Sequence, residues 1–327
     1  MGLLVNGKWQ DKWYDTAKSG GHFIRSESQF RNWITADGSA GPAGQGGFKA
    51  ESGRYHLYVS LACPWASRVL IFRALKGLEE VITLSVVNPY MGENGWTFEP
   101  APGVVADPIG NAHYLYEVYL RADPAYSGRV TVPALWDRDR NMIVSNESAD
   151  IIRMLNSAFD GVGARPGNYA PADLLPEIDR INAEIYDRVN NGVYKAGFAT
   201  AQGVYEAEVR NLFAELDRLE ELLGRQPYLL GARVTESDWR LFTTLIRFDP
   251  VYHGHFKCNL RRLVDYPNLW SYTRELYQWP GVAGTVDFDH IKQHYYRSHH
   301  GINPNGIVPL GPELDLMQPS TRHLAAA

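Results

Sequence analysis

The sequence predicts two domains, an α/β domain followed by an all-helical one, and three observations carry that prediction. The 327 residues exceed one average domain of roughly 150 residues. Between residues 55 and 157, short runs rich in β-formers alternate with helical stretches. Beyond residue 171 the strand patterns stop and only amphipathic helical patterns remain. With 45% hydrophobic and 21% charged residues the composition is globular, so extensive disorder is not expected.

Residues 1–50 read as an irregular extension. Residues 38–47 (GSAGPAGQGG) hold five glycines and a proline, which opposes a regular element, and no apolar strand precedes them as a phosphate-binding loop requires. Residues 55–60 (YHLYVS) alternate as a strand. Cys63-Pro64 follows, then a helix over 65–76 closed by Gly77; proline at the first turn and glycine past the last suit helix ends. Residues 81–87 (VITLSVV) are a second strand, suited to a sheet interior. A Gly/Pro-rich insertion over 88–111 precedes a helix over 112–121. Strands over 130–136 and 142–144 and a helix ending at Ser157 complete the domain. The order βαβ, α, ββ, α is that of the thioredoxin fold, a central mixed sheet with helices on both faces. Helices are then expected over 173–190, 205–223, 236–247, 269–279 and 286–296, with Thr235 and Asp238 as a capping box. The tail from Gly301 is irregular, and its final residues 325–327 (AAA) read as an expression remnant. The boundaries are 1–50 for the extension, 51–160 for the first domain and 165–327 for the helical domain with its tail.

A net charge of -5 without a basic block opposes nucleic acid as the partner. Two cysteines fit a reducing compartment, not a disulfide framework. The start lacks a signal-peptide core, Asn6 stands where a myristoylation signal needs Ser or Thr, and no apolar run approaches the roughly 18 residues of a membrane span. A cytoplasmic protein without membrane attachment is expected. Nine Trp, nineteen Tyr and twelve Phe suit both aromatic cores and pockets for planar ligands.

Cys63 is the most informative residue. Between a strand and Pro64, it caps a helix whose free N–H groups and partial positive charge favour thiolate over thiol, with Arg68 one turn on adding positive potential. The residue three further on is Ala66, so the dithiol Cys-x-x-Cys is missing and an external thiol must complete turnover; glutathione is the abundant candidate. Cys258, in Phe256-Lys257-Cys258-Asn259, reads as structural. Val132-Pro133 stands at a strand start, where a cis bond can leave Val132's N–H and C=O free for a peptide-like ligand. Glu147-Ser148 opens a helix, where a hydroxyl and N–H groups either hold a carboxylate or simply cap. His290 and His294, four apart on a helix with His299 and His300 following, form a conceivable metal pair. They lack the Glu of a zinc-protease helix and a fitting third ligand, so no metal is expected.

Residues 60–66 (SLACPWA), the Val132-Pro133 step, residues 145–148 (SNES) and the helical second domain resemble glutathione transferases with a catalytic cysteine. Asn88-Pro89, residues 93–98 (ENGWTF), residues 190–199 (NNGVYKAGFA) and the stretch from Phe288 to Tyr295 are similar to the xi class, the glutathionyl-hydroquinone reductases. The resemblance implies a thioredoxin-like glutathione-binding domain, a glutathione-transferase helical domain and a homodimer. It implies Cys63 as nucleophile and Trp96, Arg129, Val132, Glu147 and Ser148 as glutathione-binding residues. It places Tyr194 and Tyr295 against the hydroquinone in the helical domain, with Tyr252 and Tyr296 ranked lower. The implied reaction reduces glutathionyl-hydroquinones, with glutathione as co-substrate. A glutaredoxin-like protein deglutathionylase and a non-catalytic ligand-binding transferase fold are the alternatives.

Overall fold

The computed structural model describes residues 2–322, so the expected remnant at 325–327 lies outside the described residues. The strands in chain order are β1 (Leu3–Val5), β2 (Lys8–Gln10), β3 (Tyr55–Val59), β4 (Thr83–Val86), β5 (Gly128–Arg129), β6 (Ala134–Asp137) and β7 (Met142–Ser145). The helices are α1 (Pro64–Leu75), α2 (Leu115–Ala122), α3 (Ser148–Ser157), α4 (Leu175–Ile185), α5 (Gly192–Gly197), α6 (Gln202–Leu223), α7 (Glu236–Leu245), α8 (Pro267–Tyr277) and α9 (Phe288–Ser298). Two units divide the chain. The first holds the residues up to Trp13, Ser26–Gly167 and Gly284–Ser298; the second holds Tyr14–Arg25, Asn168–Ala283 and the chain from His299 onward.

In the first unit, a four-stranded sheet runs in the order β4-β3-β6-β7, with β3 parallel to β4 and antiparallel to β6. This is the mixed thioredoxin-like sheet, and α1 packs with α3 beside it. Every residue of β3 is buried, so its polar side chains need internal partners. They have them: His56 Nδ1 lies 2.6 Å from Thr83 Oγ1 and Nε2 2.9 Å from Ser85 Oγ, and the Tyr58 hydroxyl donates to Asp107 at 2.8 Å.

The extension begins with order, not irregularity. β1 and β2 form a hairpin with Val5 opposite Lys8, and β1 also pairs with β5. Asn6 and Gly7 make the two-residue turn at φ 47° and 73°, where positive φ at both positions matches the twist of the strands. Any side chain at Gly7 would collide, because a Cβ there would lie 2.1 Å from the Pro124 carbonyl oxygen. From residue 11 to residue 50 the backbone makes only single bridges, such as Thr35 with Lys49.

The second unit is helical throughout its described core. The helix expected over 173–190 is interrupted: α4 widens into a π turn over Tyr186–Asn190 before α5 begins. The Asn190 amide there donates to the Arg240 carbonyl at 2.9 Å and to Thr244 Oγ1 at 2.7 Å, tying the turn to α7. The Thr235–Asp238 capping box opens α7, with the Thr235 N–H donating to Asp238 at 2.8 Å.

α9 groups with the first unit, and its side chains bond the backbone of the 88–111 insertion. Among the described residues, no helix is long and apolar enough to cross a membrane.

Candidate active site

Cys63 caps α1 at φ -76° and ψ 122°, with Pro64 opening the helix and no acidic residue in its first turn. The helix dipole gives that end of α1 a partial positive charge. The side chain is half-buried, and its thiol donates to the Val132 carbonyl at 3.5 Å. The Val132–Pro133 bond is cis, as its place before a strand suggests. Residues 69 positions apart thus meet at one end of the sheet.

Arg68 joins this corner to α3. Its side chain is buried, and Nε donates to Ser148 Oγ at 3.0 Å. Sequence spacing predicted a positive charge near Cys63; the structure turns that guanidinium to the first residue of α3. Glu147 caps α3, its carboxylate accepting from the Ala149 N–H at 2.9 Å and from the Ser28 hydroxyl at 3.1 Å. Cys63, Val132, Arg68, Glu147 and Ser148 therefore converge on the facing N-terminal ends of α1 and α3. Two helix ends and an arginine there suit an anionic ligand.

Trp96 lies in the same unit, buried, with its ring stacked on His294 at 4.6 Å and 24°. Arg129, on β5, donates to the Lys12 carbonyl and tethers the end of the hairpin. Tyr295 is buried on α9 and meets His294 edge-on at 5.2 Å. By its contacts Tyr295, with the rest of α9, groups with the first unit.

Tyr194 lies in the second unit, on α5, within an aromatic cluster. Its ring centroid is 5.4 Å from Phe256 and 6.0 Å from both Phe198 and Tyr252. The Arg25 guanidinium lies 4.9 Å over its ring while Nε donates to Asn191 Oδ1 at 3.2 Å. Tyr252 is wholly buried in this cluster, and Tyr296 is half-buried on α9. Cys258 is fully buried in the second unit, and loss of solvation pushes its thiol well above the ordinary range.

Sequence reasoning missed Ser28, Arg25 and the role of His294. Ser28 and Arg25 lie in a segment without periodicity, and their partners lie more than a hundred residues away. The sequence suggests His294 only as half of a metal pair with His290. Its spacing from His290 was visible; its partner, a backbone carbonyl, was not.

The chain resembles known proteins over nearly its whole length. The family profile described as Glutathione S-transferase, N-terminal domain matches residues 62–158, and that described as Glutathione S-transferase, C-terminal domain matches residues 202–275. Glutathionyl-hydroquinone reductase YqjG of Escherichia coli (strain K12) is 59% identical over 323 residues, covering 98% of each chain. Glutathionyl-hydroquinone reductase PcpF of Sphingobium chlorophenolicum is 58% identical over 312 residues, covering 95% of this chain and 96% of its own. The glutathione-bound structure of YqjG matches with a TM-score of 0.91 at 56% identity, covering 98% of this chain and 99% of that one. A xi-class glutathione transferase from Natrialba magadii matches with a TM-score of 0.90 at 45% identity, covering 98% and 96%.

Proposed function

The chain belongs to the glutathione transferases, in the xi-class branch of glutathionyl-hydroquinone reductases, and on that premise we propose that it reduces glutathionyl-hydroquinones through Cys63. The observation that carries this reading is a half-exposed thiol at the N-terminus of α1, beside the Val132 carbonyl, with Ala66 where a resolving cysteine would stand.

In the first step the Cys63 thiolate attacks the glutathione sulfur of the substrate. The bond from that sulfur to the aromatic carbon breaks, its electron pair stays with the carbon, and that carbon takes a proton. The hydroquinone leaves, and Cys63 holds glutathione as a mixed disulfide. In the second step a glutathione thiolate attacks the glutathione sulfur of that disulfide. Oxidised glutathione departs, and the Cys63 thiolate returns; two electrons have passed from two thiols to one ring carbon. The N-terminus of α1 stabilises the thiolate at the start and again as it is released.

The remaining residues bind and orient. Val132 offers its backbone to the tripeptide, and the α3 end with Glu147 and Ser148 takes its charged terminus, with Trp96 and Arg129 completing the glutathione site. The hydroxyls of Tyr194 and Tyr295 donate to the ring oxygens, easing ketonisation of the hydroquinone and charge build-up as the carbon–sulfur bond breaks. A homodimer in the cytoplasm, where glutathione is kept reduced, completes the reading; light scattering tests the dimer.

The mixed disulfide is the test. One turnover of a glutathionyl-hydroquinone without free glutathione should leave one glutathione on the peptide carrying Cys63, and added glutathione should remove it. Hydroquinone released with no adduct under rapid quench would mean direct attack by glutathione and would reduce Cys63 to a binding residue.

A further inference from the structure

The insertion over 88–111 carries Trp96 and takes little support from the sheets. Its backbone is irregular apart from single bridges such as Val86 with Val105 and Thr97 with Tyr114. Segments of this kind have low local stability unless something outside holds them. α9 does so from one face. His290, His294 and Ser298 follow one another at four-residue intervals, which on a helix sets them in one row.

Each member of that row meets backbone of the insertion. His290 Nε2 lies 2.7 Å from the Pro102 carbonyl oxygen, His294 Nδ1 lies 3.0 Å from the Pro89 carbonyl oxygen, and Ser298 Oγ accepts from the Met91 N–H at 2.9 Å. A carbonyl only accepts, so His290 carries a proton on Nε2 and His294 one on Nδ1. Gly103 makes the approach of His290 feasible: a Cβ there would lie 2.5 Å from His290 Nε2. The insertion is therefore pinned at its start and again at Pro102, and between the pins Trp96 stacks on the ring of His294.

We propose that His294 is a positioning residue that sets the Trp96 indole for glutathione before glutathione arrives. It does so twice: its ring supports the indole face, and its Nδ1–H fixes the start of the segment that carries the indole. A loop ordered in advance leaves less ordering to be done on binding, so affinity rises without any contact between His294 and the ligand. This rests on the reading of Trp96 as a glutathione-binding residue.

The experiment is a double-mutant cycle in the full-length protein, with S-methylglutathione affinity measured by calorimetry beside kcat and KM for glutathione. Loss of a ring stack and one hydrogen bond should weaken S-methylglutathione about tenfold in His294→Ala. His294→Phe keeps a ring and loses only the hydrogen bond, so about threefold is expected. The kcat at saturating glutathione should stay within about twofold in both, since no reacting atom is touched. Combining His294→Ala with Trp96→Ala should cost no more affinity than Trp96→Ala alone, because His294 acts through the indole. Additive losses overturn the proposal, as does unchanged affinity in His294→Ala where Trp96→Ala weakens binding. Should His294→Ala fail to fold, His294→Phe decides, and wild-type affinity in it overturns the proposal. If Trp96→Ala binds S-methylglutathione as the wild type does, the reading of the glutathione site itself is at fault, and the proposal falls with it.

Discussion

Cys63 stands half-exposed at the positive end of α1, while Cys258 lies fully buried in the second unit, with its sulfur 3.9 Å from the Phe256 carbonyl oxygen and 4.0 Å from that of Val193. Both are single thiols on loops beside helices, and their chemistry is opposite. On the proposed reading, the N-terminus of α1 favours a thiolate at Cys63. At Cys258, burial removes solvation, and the neighbouring Lys257 ammonium offsets only part of the cost. Reactivity here belongs to the surroundings and not to the residue type.

The sharpest test of that contrast removes each sulfur. Cys63→Ala should lose at least ~10³-fold in turnover with its thermal midpoint little changed. Cys258→Ala should keep its turnover and lose about 1 kcal/mol of stability, the cost of a small cavity. In the native protein near neutral pH, an alkylating reagent should mark Cys63 and reach Cys258 only on unfolding. Comparable loss of turnover in the two variants would end the distinction.

The same desolvation acts on two imidazoles, one in each unit. His56 lies in β3 and His255 lies 3.1 Å from His299, and burial lowers each from 6.5 to about 4. Unfolding at pH 5 therefore takes up protons, and stability falls as pH drops from 6.5 towards 4. His56 alone should account for about 3 kcal/mol across that window. Denaturant titrations at pH 7.5 and 4.5 read this out, and equal stability at both would show that these histidines protonate without unfolding.

The smallest expected effect compares Tyr194 of the second unit with Tyr295 of the first. Losing either hydroxyl should slow turnover about fivefold and leave glutathione affinity within about twofold, because one hydrogen bond to the ring oxygen is worth about 1 kcal/mol. Steady-state kinetics of Tyr194→Phe and Tyr295→Phe would settle it. Full turnover in both would make these tyrosines packing residues of their clusters.

Much of the first unit was legible because its signals are local. Cys63-Pro64 follows an alternating strand and opens a helix, so a thiol at a helix N-terminus is written within ten residues. Thr235 and Asp238 form their capping box within one turn. The opening hairpin carried an equally local signal in Asn6-Gly7, but strands of three residues are too short for periodicity to reveal. The π turn over Tyr186–Asn190 was not legible, since it depends on the Asn190 amide finding Arg240 and Thr244 some fifty residues later. α9 was legible as a helix and not as part of the first unit.

The sequence alone determined the helices and most of the sheet strands, their order, and the lone thiol at a strand-to-helix junction, because periodicity, caps and proline or glycine punctuation act over a few residues. Tertiary structure decided which thiol meets water, that Arg68 turns to Ser148, and that α9 clamps the segment bearing Trp96. Those outcomes rest on burial and on hydrogen bonds between residues 80 to more than 200 positions apart, and no local pattern encodes a partner at that distance.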